Sequence, residues 1–302
     1  MFLDPPRRCR PSGLRFQISN LKFPNPMSFL SRVLGLFGVL VAVAAVRADP
    51  VRYESVVFGS VSVQRDVVFR TATNAKGETE TLKLDVYQPA GDVERKRPAI
   101  LWLHGGGFRP GNDKQQKYIV AMATEFAKRG YVCISSDYRV RAEQGTGAGR
   151  LPVLQDAVED SRAALAWTRA HAAELGIDPN RLAVGGGSAG GMAAVSVVAL
   201  ESADAAKRGT TKLLALVDLW GSPSDDFLIG QVDANFPPTV IVHGTADQSV
   251  PFAQSEKLAA RLKAAGVKHE LLALPGAPHT PTMHMEAIVK TTTAFVFAAL
   301  KK

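Results

Sequence analysis

The stretch Arg181–Leu200, RLAVGGGSAGGMAAVSVVAL, runs from an apolar, strand-like segment through a glycine cluster into a helix-like segment, with one serine inside the cluster. Two motifs share its letters. Gly185, Gly187 and Gly190 match G-x-G-x-x-G, the loop that lets backbone approach a dinucleotide pyrophosphate. Gly186, Ser188 and Gly190 match G-x-S-x-G, the turn that presents a nucleophilic serine. A G-x-S-x-G is expected by chance in about one chain in ten of this length, so the rest of the sequence has to choose.

The runs Ala99–Leu103, Val132–Ser135, Leu182–Val184, Leu213–Leu219, Thr239–Val242 and Leu271–Leu274 are short and apolar, and longer helical stretches separate them. Continuous apolarity suits strands buried on both faces. In LPVLQDAVEDSRAALAWTRAHAAELG, Leu154, Val158, Leu165, Ala172 and Leu175 share one helical face and Gly176 stands where a helix stops; VPFAQSEKLAARLKAAG ends on Gly266 the same way. Ahead of this region, VVFGSVSVQRDVVFR and TLKLDVYQ flank the turn-forming TNAKGETE and predict an antiparallel start. The expected architecture is α/β: a mostly parallel central sheet with helices on both faces and antiparallel N-terminal strands. In such sheets ligands sit beyond the carboxyl ends of the strands.

The residues in those places carry chemistry. His104-Gly105-Gly106-Gly107-Phe108 follows the Ala99–Leu103 strand, and its glycines leave backbone N–H groups uncovered, suited to an oxyanion forming in front of them. Ser188 follows the next parallel strand, and the N–H of Ala189 is expected to point into the same space. Asp247 falls just past the Thr239–Val242 strand, with Asp225 and Asp226 as alternative acids. His279 follows the last strand and is preferred to His284, which already belongs to the terminal helix predicted from about Thr282; His104 and His243 read as turn braces. Serine, acid and histidine in this chain order, with an upstream H-G-G-G, fit acyl transfer without metal or cofactor. Phe108, Trp220 and Phe227 follow strand ends and are candidate walls of the substrate pocket.

This set resembles the alpha/beta-hydrolase superfamily, in particular its HGGG-type, hormone-sensitive-lipase-like and small secreted carboxylesterases. LWLHGGGF, SSDYR, DPNRLAVGGGSAGG, PTVIVHGTADQSVP and GAPHT each look like a family block. The resemblance implies an alpha/beta-hydrolase fold, a triad of Ser188, Asp247 and His279, and an oxyanion hole from Gly106 or Gly107 with Ala189. Those lipase-like enzymes usually carry a helical cap, whereas only GSPSDDFLIGQVDANFPP separates the strand ending at Trp220 from the next. A minimal cap is implied, with short-chain acyl or carbohydrate-linked esters as substrates rather than long-chain lipids.

Two other activities fit parts of the chain. A dinucleotide-binding module would use Gly185, Gly187 and Gly190 with Asp218 as ribose-binding acid, yet leaves His104–Gly107, Asp247 and His279 unexplained. A serine peptidase-like amidase would use the same triad but usually carries an additional large domain. A binding protein on an inactive hydrolase fold is a third alternative, at odds with the complete set of triad letters.

The formal charge of +8 is uneven: residues 1–48 hold seven basic residues against Asp4, and residues 49–302 hold 29 basic against 27 acidic. No basic face calls for a nucleic-acid partner. After Arg32 the apolar VLGLFGVLVAVAAV has the length of a signal-peptide core, shorter than the ~20 residues of a membrane span. Val46-Arg47-Ala48 offers the small residues of a cleavage site. Residues 1–48 therefore predict a signal peptide, with Met27 as an alternative start, and 49–302 the catalytic domain of a secreted or periplasmic protein without a stable membrane span. Of the two cysteines, Cys9 lies in the leader and Cys133 in an apolar strand, so the mature chain has no internal disulfide and Cys133 reads as a buried structural thiol.

Overall fold

The computed structural model describes residues 51–143, 151–223 and 231–301, all within one compact unit, Ala48–Lys302. The predicted leader, Phe227, Asp225 and Asp226 lie outside the described residues. An eight-stranded sheet runs in the order β1-β2-β4-β3-β5-β6-β7-β8. Its strands are β1 Val61–Thr73, β2 Thr79–Pro89, β3 Arg97–Leu103, β4 Val132–Ser136, β5 Ile177–Gly187, β6 Leu216–Leu219, β7 Thr239–Gly244 and β8 His269–Leu274. β1 and β2 form the antiparallel hairpin, closed by an Asn74 side chain that accepts from the N–H groups of Lys76 and Glu78. β2 pairs antiparallel with β4, and β4, β3, β5, β6, β7 and β8 are mutually parallel.

The helices are α1 Lys117–Ala127, α2 Leu151–Ala170, α3 Ala172–Leu175, α4 Ala189–Arg208, α5 Phe252–Ala264 and α6 Met285–Leu300. Period-two alternation sends Leu101 and Leu103 of β3 toward α2 and α4, into the same apolar cluster as Leu165 and Val195. It sends Ile100 and Trp102 toward α1 and α6, where Met122, Phe126 and Ile288 close the other face. Every residue of β3, β4 and β7 is buried, as continuous apolar runs require. β8 keeps exposed positions because it is the sheet edge.

Several boundaries differ from the sequence reading for local reasons. The long helical stretch after Leu151 breaks at His171 and stops at Gly176, which takes the left-handed conformation at φ 64°. The strand expected from Leu213 begins at Leu216, and the one expected over Leu182–Val184 extends from Ile177 to Gly187. Arg139, just past β4, donates from its backbone N–H and Nε to Asp160 Oδ2 (2.9 and 2.8 Å) and from Nη2 to Oδ1 (3.0 Å). That buried ion pair ties the end of β4 to α2. Among the described residues no helix is long and apolar enough to cross a membrane.

The strand order reverses at β3 and β5: the chain leaves β3 for β4 on one side, then crosses to β5 on the other. A crevice opens at the carboxyl ends of two such strands. Here the backbones approach so closely that a Cβ on Gly190 would collide with the carbonyl oxygens of Leu103 and His104. Gly190→Ala is therefore expected to destabilise the fold by more than about 3 kcal/mol in urea unfolding. Gly59→Ala, at a position with open space, is expected to stay within about 0.5 kcal/mol.

Candidate active site

Ser188 sits between the end of β5 and the start of α4 with φ 55° and ψ −122°. Such backbone costs about 1–3 kcal/mol in a residue bearing a side chain and persists only where its surroundings enforce it. The enforcement is steric. A Cβ on Gly186 would strike the Gly190 carbonyl, and one on Gly187 would lie 2.6 Å from the Tyr118 ring. On the other side Ser188 N–H donates to Leu219 O at 2.9 Å. The glycines are there for room: none of Gly185, Gly186, Gly187 and Gly190 has a positive φ.

His279, in the loop after β8, places Nε2 2.9 Å from Ser188 Oγ and Nδ1 2.6 Å from Asp247 Oδ2. An ionised carboxylate only accepts, so Nδ1 carries the hydrogen and Nε2 turns its lone pair toward the serine hydroxyl. Asp247 has its side chain wholly buried. Its Oδ1 accepts from the N–H groups of Ser249 and Val250 at 2.8 and 2.9 Å. Burial pushes its carboxyl up, but the Val250 N–H, His279 and the Ser249 N–H together hold it below the usual carboxylate range.

The H-G-G-G segment forms the facing wall. Gly106 and Gly107 have φ of 109° and 63°, a region open to glycine at little cost. Gly105 N–H is already used, donating to Gln116 Oε1 at 2.7 Å. The N–H groups of Gly106, Gly107 and Ala189 donate to nothing among the described residues. They border a cavity of about 410 Å³ that also meets Ser188, His279, Met192 and Phe108. A larger groove, about 780 Å³, lies between α1 and α6 and holds none of these groups.

Phe108 reaches the cavity wall as expected from the sequence. Trp220 does not: it is fully buried, its large apolar ring packed edge-on against Tyr118 at 5.3 Å on the α1 side of the core, where covering that area is favourable. Asp218 also points inward and is fully buried, which removes it as a ribose ligand. His104 does brace its turn: Nδ1 lies 2.8 Å from Gly105 O and the ring stacks on Tyr138, whose hydroxyl donates to His104 O. His243 does more than the sequence suggested, since its Nε2 stands 3.1 Å from Asp247 Oδ2. His284 lies in the short Thr282–His284 turn ahead of α6 and takes no part. Cys133 is buried, as its apolar neighbours required.

Two successive segments of the chain match different family models: BD-FAE over residues 84–225 and the Prolyl oligopeptidase family over 228–302. Among solved structures, esterase 2 of Thermogutta terrifontis, phosphoramylated by tabun, superimposes with a TM-score of 0.62 at 27% identity, over 80% of this chain and 95% of that one. The chain belongs to the alpha/beta-hydrolase superfamily. Its relatives include Esterase LipC of Mycobacterium tuberculosis (28% identical over 67% of this chain and 58% of that protein). Another is a probable isoprenylcysteine alpha-carbonyl methylesterase of Oryza sativa subsp. japonica (26%, over 74% and 59%). The chain thus spans a little under six-tenths of the length of these two relatives.

One titration follows from the glycine wall. Burial holds the His104 imidazole neutral down to about pH 4, against 6.5 for a free ring. The unfolded chain binds this proton first, so stability is lost as pH falls from about 6.5 to about 4, by roughly 3 kcal/mol. Urea midpoints at the two ends of that window should therefore differ less in His104→Gln than in the parent.

Proposed function

We propose that this protein is a serine hydrolase that cleaves carboxylic esters, with Ser188 as nucleophile, His279 as general base and Asp247 as its anionic partner. The observation that carries the reading is the unbroken hydrogen-bonded line Ser188–His279–Asp247, opening on a cavity bordered by N–H groups with no acceptor. Serine is a weak nucleophile at neutral pH. His279 Nε2 takes its proton as Oγ attacks the ester carbonyl, and Asp247 stabilises the imidazolium that forms. The carbonyl oxygen, now an anion, accepts from Ala189 N–H and from Gly106 or Gly107, donors already in place before the charge develops. His279 returns the proton to the departing alcohol, and water repeats the sequence on the acyl-enzyme.

Short acyl groups suit the site best. The cavity is modest, and the Thermogutta terrifontis esterase has been captured with propionate and with butyrate, acids of three and four carbons. Carbohydrate-linked esters stay within the proposal through the resemblance to small secreted esterases. A second reading, hydrolysis of amides, is favoured by the Prolyl oligopeptidase match over the segment that holds Asp247 and His279. Nitrophenyl esters of rising chain length, run beside acetylated and feruloylated sugars and aminoacyl nitroanilides, separate these substrates. We also propose that residues 1–48 direct export and are removed; N-terminal sequencing of exported protein should begin at Asp49.

Ser188→Ala should abolish hydrolysis of short acyl esters, and residual activity above about a tenth of the parent would contradict the assignment. A fluorophosphonate should add its mass to the peptide containing Ser188 in the parent protein. Asp247→Asn should lower kcat roughly a thousand-fold or more, because an amide no longer sets the histidine tautomer.

A further inference from the structure

A second line of polar side chains runs from Asp247 into the core, away from the cavity. Asp218, at β6, is fully buried; its Oδ1 accepts from Gly221 N–H at 3.1 Å and its Oδ2 lies 2.5 Å from Ser222 Oγ. Ser222 Oγ is 2.7 Å from Ser255 Oγ of α5, and Ser255 Oγ is 2.6 Å from Nδ1 of His243, the penultimate residue of β7. His243 Nε2 then faces two oxygens, Val250 O at 2.9 Å and Asp247 Oδ2 at 3.1 Å. Asp218, Ser222, Ser255 and His243 all have zero exposure. Three separate elements of the fold supply them, and none touches the cavity.

Counting donors restricts this line to two arrangements. A carbonyl and an ionised carboxylate only accept, so His243 Nε2 carries a hydrogen. Each serine has a single proton to give. In one arrangement Asp218 is a carboxylic acid that donates to Ser222, Ser222 donates to Ser255, and Ser255 donates to Nδ1 of a neutral His243. In the other, every bond is reversed: Asp218 is a carboxylate and His243 an imidazolium. The two differ by the shift of one proton along each bond, and any other pattern leaves two lone pairs or two hydrogens facing each other at under 2.8 Å. The reversed form buries a carboxylate served by only two donors together with a cation. Burial already drives the Asp218 carboxyl toward its protonated form, against the pull of Ser222, His243 and Gly221.

We propose that Asp218, Ser222, Ser255 and His243 form an uncharged hydrogen-bond relay that positions Asp247, ending in a His243 Nε2–H that donates to the same carboxylate oxygen as His279. The relay rests on the reading of Asp247 as the anionic partner of the catalytic histidine. His243 is a positioning residue: it holds Oδ2 in line and draws off part of its charge, while its own neutrality sets no countercharge beside the carboxylate. Removing that donor frees Oδ2 to leave its line with His279, which slows the chemical step, and returns the withheld charge to the carboxylate, so that His279 holds its proton to higher pH.

The test combines the unsubstituted enzyme with three variants. In 15N-histidine spectra of the enzyme near pH 7, His243 should be neutral with hydrogen on Nε2 only; a doubly protonated His243 overturns the proposal. His243→Phe keeps a ring but loses the donor. It should lower kcat about ten-fold with KM within about two-fold and move the acid limb of the kcat/KM profile to higher pH. Asp218→Asn presents an amide that donates to Ser222 and accepts from Gly221, as the carboxylic acid does, and should keep kcat within about three-fold. Asp218→Leu has neither group and should fall with His243→Phe. Parental kcat and an unmoved acid limb in both His243→Phe and Asp218→Leu refute the relay. Should those two fail to fold, the spectra and Asp218→Asn decide, since a large loss in the amide variant means that Asp218 works as a carboxylate. Absence of fluorophosphonate labelling at Ser188 would instead remove the serine-hydrolase reading and leave the His243 tautomer as an independent result.

Discussion

The backbone of Gly190, in the first turn of α4, lies directly against the carbonyls of Leu103 and His104 at the end of β3. That contact leaves no room for a side chain, and the geometry of the candidate site follows from it. It brings the glycine segment after β3 beside Ser188, so that N–H groups from two separate loops border one cavity. It also holds Ser188 at a positive φ that its own conformational preferences oppose. The strain is supported by the sheet: β3 and β5 are parallel neighbours from Ala99 and Leu182 to Leu103 and Gly186, locked by packing on both faces.

Electrostatics complete what sterics begin. Asp247 is buried, yet four N–H groups converge on its two oxygens, from Ser249, Val250, His279 and His243. A buried carboxylate so served stays ionised where an unserved one would take up a proton. The first turn after β7 therefore does two jobs: its amides hold the carboxylate, and its geometry aims the free edge at His279. Strained backbone recurs around the cavity, with Phe108, Ser188 and Thr280 all at positive φ. This clustering fits a site whose groups are placed by the fold rather than by their own preferences.

Much of the architecture was legible because its signals are local. Apolar runs at β3, β4 and β7 have no alternation because both faces are covered, and Gly176 and Gly266 end helices by adopting the left-handed conformation. The positions of Ser188, Asp247 and His279 were legible too, since each follows a strand. Other features were not. Trp220 follows a strand end as Phe108 does and shares its positive φ, yet it packs into the core against Tyr118 while Phe108 reaches the cavity. His243 read as a brace because the partners that give it more, Asp247 beyond the turn and Ser255 on α5, become neighbours only when β7 and α5 pack. A polar residue inside an apolar run was the available hint, and the same hint applied to Asp218.

By itself the sequence determined the alternation of strand and helix, the order of serine, acid and histidine, and the glycines where bulk is excluded, because these depend on residue type and near neighbours. Tertiary structure decided which atoms meet. Gly105 gives up its N–H to Gln116, leaving Gly106 and Gly107 as donors; Asp247 meets His279 from 32 residues away, and His279 meets Ser188 from 91. Hydrogen bonds act over about 3 Å, and distances that short between remote parts of a chain are set by how the sheet pairs and packs. The linear order of residues carries no such distances.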